Sequence, residues 1–195
     1  MEELKSLDTL FEPDVRQQFF AVRDHDAQAA RPLQAADIYS LAEQAVLHHG
    51  VPENIRSHFS MAQNLLAYSW FCFPFNVAAE LHAYISVEFA LRTRYPNQPN
   101  ALLHRLLARA VADGLLKAEG FSYGRNPERQ LFPREFELPT EIPPVRDYVA
   151  DLAEAIRSLR NSIAHGTNMI HMKGGTALLV CSEVINQLFT PPSDG

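Results

Sequence analysis

The chain is poor in cysteine, glycine and lysine, and it has no long apolar run. Cys72 and Cys181 are the only cysteines in 195 residues, and they form no CxxC pair. That excludes a zinc ribbon and a disulfide scaffold, and it fits a reducing compartment. No apolar run approaches the ~20 residues of a membrane-spanning helix. The start, Met1-Glu2-Glu3-Leu4-Lys5, has neither a basic region nor an apolar core. The expectation is a protein without a signal peptide, cytoplasmic and not membrane-bound. GxGxxG, GxSxG and HExxH are all absent, so no cofactor and no metal are expected.

Charge is modest but unevenly spread. The net charge is −6, which does not suit a protein that coats DNA or a membrane with its whole surface. Residues 1 to 60 hold ten acids against five bases, whereas Arg92 to Arg134 hold eight bases against three acids. Such a basic middle either presents a local anion-binding surface or is ordinary surface variation. Fourteen of the 17 bases are arginine, the residue better suited to phosphate. Arg105, Arg109, Arg125 and Arg129 are the candidate RNA-binding residues.

Thirteen prolines punctuate the chain and leave long proline-free windows in which helices can run. Apolar periodicity places helices at 14–30, 33–49, 53–72, 75–95, 100–118, 145–165 and 175–189, with no convincing alternating strand. The stretch 121–144, rich in proline, reads as a long connection. Residues 1–50 then form an N-terminal helical extension, 53–189 a helical bundle and 190–195 a tail.

The window 145–165 carries one apolar stripe: Val145, Val149, Leu152, Ile156, Leu159 and Ile163. At 100° per residue, Asn161 and His165 point about 150° or more from its centre, and Arg160 lies near its edge. On the helix 75–95, Val77, Leu81, Tyr84, Ile85 and Leu91 form one face with Glu88 in its middle. A carboxylate there is paired, or shifted toward its neutral form. It is either a buried Glu–Arg strut, the sign of a stripe placed one step wrong, or an acid that holds an active-site arginine or histidine.

Arg160-Asn161-Ser162-Ile163-Ala164-His165 puts a guanidinium, a carboxamide and an imidazole in the last two turns of one helix. Arginine can grip phosphate through two N–H groups, and histidine exchanges protons near neutral pH. The same residues also suit the negative end of a helix dipole. His171 is an alternative second proton-transfer group. His48-His49 reads as a helix end, Cys72 as an inert core thiol, and 101–116 as a core-packed helix that only glancingly suggests DNA reading.

Arg160-Asn161, three residues and then His165 resembles the signature of the HEPN superfamily (higher eukaryotes and prokaryotes nucleotide-binding). The stretch Phe75 to Tyr95 resembles the earlier long helix of bacterial members, and Glu183 to Phe189 resembles their closing helix; the likeness spans 53–189. It implies an all-α, up-and-down helical bundle that forms a homodimer. It implies RNA cleavage without metal at a cleft shared by two protomers. Arg160 and His165 would be the catalytic pair, Asn161 would orient them, and Glu88 would be the supporting acid. It further implies a bacterial defence or toxin-like role, with RNA as substrate and an antitoxin as a further partner. The alternative is a bundle that no longer cuts and binds nucleotide, RNA or a protein.

Overall fold

The computed structural model describes residues 4–24, 29–122, 145–165 and 173–190, with the side chains of 23–24, 145–150 and 152 excepted. Among these the architecture is an all-α helical bundle. Its helices are α1 (Ala35–Gln44), α2 (Glu53–Tyr68), α3 (Phe75–Arg94), α4 (Leu103–Ala112), α5 (Val145–Ala164) and α6 (Gly174–Phe189). No described helix is long and apolar enough to cross a membrane.

Helix boundaries follow local chemistry. Pro52 and Pro74 stand at the N-caps of α2 and α3, where a missing N–H breaks no helical bond. α4 ends sooner than its periodicity suggests. Gly114 adopts φ +69°, while its N–H donates to Val111 O and that of Leu115 to Ala110 O. That left-handed residue closes the helix end and turns the chain away. α1 is also shorter than expected. It stops at Gln44, and Gln63 Nε2 donates to the carbonyls of Ala42 and Ala45, 3.1 Å from each.

α3 lies at the centre and touches α2, α4, α5 and α6. Its buried face holds Ala79, Ala83, Val87, Ala90 and Leu91, and small residues there let neighbouring helices come close. Phe59 and Leu66 of α2 and Leu178, Cys181, Ile185 and Leu188 of α6 fill the space around it. The N-terminus of α6 enters as Gly174-Gly175. A Cβ on Gly174 would come 2.9 Å from Asn76 O, so only glycine permits this approach.

The helix expected at 14–30 does not form. A single 3-10 turn, Val15–Phe19, leads into strand β1 (Ala21–Asp24), which pairs antiparallel with β2 (Ala29–Pro32). The helical stripe through Val15 and Phe19 is left exposed. Phe20 instead turns extended and stacks on Phe73 at 5.6 Å, and Leu33 N donates to Phe20 O. A tertiary ring contact and a strand pairing displace the local periodicity. The Asp14 carboxylate anchors this segment, accepting from Phe73 N (2.9 Å), Arg16 N (3.0 Å) and the Arg16 guanidinium.

Two further contacts tie distant elements. His48 N donates to Asn186 Oδ1 on α6, and its ring Nδ1 accepts from Gly50 N; His48 is thus a clasp outside α1, and not a helix end. His58 of α2 and His82 of α3 stack 4.4 Å apart. Ser86 Oγ donates to His82 O and so receives the His58 Nδ1–H, while His82 Nε2–H donates to His58 O. Burial first, and then neighbouring His82, hold the His58 imidazole below its ordinary 6.5. The folded protein therefore favours neutral His58. Its contribution to stability is complete above 6.5 and declines as pH falls from there through the lower folded value. Asp14 acts in a more acidic window. Chiefly through Arg16, its carboxyl lies well below 3.8, so its contribution is present above 3.8 and lost as pH falls through the folded value. Melting temperature should fall below about pH 6.5 and fall again below about pH 3.8. His58→Phe should remove the first decline alone, and an unchanged first decline in that variant would contradict the assignment to His58.

Candidate functional site

The site lies where α5 crosses α3. The face that α5 buries is rotated from the one its large apolar residues mark. Ile156 is buried, Ala153 and Ile163 pack on the core, and Leu159 is 41% exposed. The rotation brings Arg160 toward α3, so this part of the helix end does not face away from its own core. Arg160 Nη2 donates to Glu88 Oε2 at 3.1 Å, and Nη1 donates to Asn161 Oδ1 at 3.2 Å. The arginine side chain is one-third exposed, and its Nε is buried with no hydrogen-bond partner among the described residues.

His165 follows one turn beyond Asn161 and is exposed, its backbone N–H donating to Asn161 O at 3.0 Å. Gly166 and His171 lie outside the described residues. Arg160, Asn161 and Glu88 are therefore brought into contact, with an imidazole at the open end of the same helix.

Glu88 is not in the middle of the buried face of α3. That face runs through 79, 83, 87 and 90, and Ile85 of the expected stripe is 37% exposed. Glu88 sits on the rim, its side chain 17% exposed. Its Oε1 accepts from Arg92 Nε (3.2 Å) and Nη2 (2.7 Å). Arg92 Nη1 donates in turn to Pro99 O at 2.7 Å. Arg92 is a member of this cluster that the motif reading passed over; its i, i+4 spacing from Glu88 was the available signal.

Sequence reasoning also missed a fully buried acid, Glu80, 1% exposed and accepting from Tyr84 Oη at 2.8 Å. Burial and this carboxylate push the Cys181 thiol up and out of reach of thiolate chemistry. Cys72 is half-buried, and not the core thiol expected.

Of the candidate RNA-binding arginines, Arg105 is exposed on α4. Arg109 is exposed but pairs with Asp113 at 2.9 Å. Asp113 also accepts from Tyr95 Oη, and burial together with that bond pushes the Tyr95 hydroxyl up to about 12. Arg125 and Arg129 lie outside the described residues. Among the described residues no cluster of three or more His, Cys, Asp or Glu side chains could hold a metal ion. No protein-family model matches the chain, and no curated protein or solved structure is significantly similar to it.

Proposed function

We propose that this protein is a metal-independent endoribonuclease of HEPN type, acting in the cytoplasm as a homodimer. The observation that carries the reading is the contact between Arg160 and Glu88, 72 residues apart, beside Asn161 and one turn from exposed His165. Glu88 and Asn161 restrain the guanidinium in a half-open position. A phosphate arriving there meets a charge already oriented for it.

In the proposed reaction the RNA 2′-hydroxyl oxygen attacks the adjacent phosphorus while the bond from phosphorus to the 5′ oxygen breaks. One group takes the 2′ proton and another gives a proton to the departing oxygen. The products are a 2′,3′-cyclic phosphate and a 5′-hydroxyl. Negative charge grows on the non-bridging oxygens, where Arg160 acts. Each protomer brings one motif histidine, so a two-fold dimer supplies the pair. Ile85, one turn from Glu88, and Leu159, next to Arg160, offer exposed apolar surface for that interface.

Wild type should cleave single-stranded RNA in excess EDTA, leave cyclic phosphate ends, and spare DNA of the same sequence, which lacks the nucleophile. RNA bound but never cut would favour the alternative, a non-catalytic binding module, a reading to which the net charge of −6 also lends weight. Light scattering should give a mass near twice 22.0 kDa. Ile85→Arg combined with Leu159→Arg should halve it; a monomeric wild type at tens of micromolar would remove the two-histidine argument. A defence or toxin-like role, with an antitoxin partner, belongs to the same proposal.

A further inference from the structure

Glu88 holds two arginines, and the motif accounts for only one of them. Arg160 takes Oε2, and Arg92 takes Oε1 through both Nε and Nη2. Two guanidiniums repel each other unless an anion lies between them, and here the anion is supplied by the protein. The cluster carries two positive charges and one negative, a net surplus of one cation. An ordinary surface pair between Glu88 and Arg92 would leave the arginine head loose, as exposed i, i+4 pairs usually do. This head is fixed at three points, since Nη1 also donates to Pro99 O at 2.7 Å. It nevertheless stays 38% exposed, and Arg160 33%.

A guanidinium has five N–H groups. Arg92 spends three on Glu88 and Pro99. Arg160 spends two on Glu88 and Asn161, and its buried Nε is one of those left over. Both heads therefore keep N–H groups for an outside acceptor. They sit on opposite oxygens of one carboxylate, so two half-exposed cations lie beside the same acid.

The geometry points to Arg92 as a second phosphate-binding residue of this site, one that takes the phosphate neighbouring the scissile one in a single-stranded RNA. Glu88 holds both arginines in place through its two oxygens. This assignment rests on the ribonuclease reading and extends it from one phosphate to two. It makes the ligand a polyphosphodiester strand and not a mononucleotide.

The test counts phosphate contacts. A short fluorescent single-stranded 2′-O-methyl oligonucleotide, which lacks the nucleophile, is titrated by anisotropy from about 50 to about 200 mM salt. Arg92→Ala should weaken binding and reduce the slope of log affinity against log salt by about 0.7, the amount for one single-strand phosphate. Arg92→Lys, which keeps the charge, should restore most of that slope. A merely structural Arg92 would shift the melting temperature and leave the slope alone. If Arg160→Ala flattens the slope and Arg92→Ala does not, the second phosphate contact is overturned while the ribonuclease reading stands. If wild type neither binds the strand nor cleaves RNA, both fall together.

Discussion

In the proposed ribonuclease, His165→Ala and Arg160→Ala should each abolish most RNA cleavage while leaving the bundle folded. Removing a general acid or base typically costs 10²–10⁴-fold in rate, and the arginine should cost a comparable factor through unshielded phosphoryl charge, roughly 10²–10³-fold. His165 is exposed at the end of α5 and takes no part in the core, so its loss should be silent in a melting curve. Arg160 is partly packed against α3, and its removal leaves Glu88 still paired with Arg92. That variant should lose no more than about 1–2 kcal/mol of stability. Mixing the two inactive variants is informative, because a site shared across a two-fold axis predicts weak activity at best in the mixed dimer. Full activity in either single variant would remove that residue from the chemistry. Activity lost in EDTA and regained with magnesium would contradict a mechanism that runs on side chains alone.

Phe59→Ala should be among the most damaging truncations in the core, and Phe19→Ala should be almost silent. Phe59 of α2 is 1% exposed and, with Phe121, is one of the largest fully buried side chains described. Removing a buried phenyl ring costs about 3–5 kcal/mol, because transfer energy and cavity energy add. Phe19 is 76% exposed after its 3-10 turn, and a surface change of that kind stays within about 0.5 kcal/mol. Chemical denaturation of both variants makes the comparison. A large loss at Phe19 would mean that the stripe through Val15 and Phe19 is packed after all, against a partner or a second copy.

The contrast between those two phenylalanines shows what the sequence made legible. Proline positions and a 3.6-residue period were enough to find α2, α3, α5 and α6 within a few residues, because nothing local competes with helix there. They failed at 14–30, where Phe20 finds Phe73 and Ala21–Asp24 finds a strand partner. Those contacts come from residues far along the chain or from the partner strand, and periodicity does not register them. α3 misled in a different way. A helix packed on several sides uses small residues where neighbours come closest, so Ala79, Ala83 and Ala90 mark its core and Leu81 and Ile85 sit nearer its rim. Reading the large residues as the core face put Glu88 inside when it belongs at the edge. The arginine, asparagine and histidine were legible because they share one helix. The Glu88–Arg160 contact was legible only as one of several readings of Glu88 and through the resemblance, because its two halves lie 72 residues apart and their meeting depends on how α5 rotates.

The order in which the elements are made bears on when the Arg160–Glu88 contact can form. α3 is seated on one side by α2 and on the other by α6, whose Leu178, Cys181, Ile185 and Leu188 are all buried. α6 is also the helix that secures the earlier chain, through Asn186 to His48, Gln187 to Lys117 and Glu183 to Ser122. On the ribosome, Arg160 and His165 are therefore synthesised before the helix that holds α3 in place. At 5–20 residues per second, the stretch from His165 to Phe189 adds a delay of about one to five seconds. During that interval the guanidinium exists, but α3, which carries Glu88 to it, is packed on α2 without α6. The contact between Glu88 and Arg160 is thus complete only once the last supporting helix has been translated and packed.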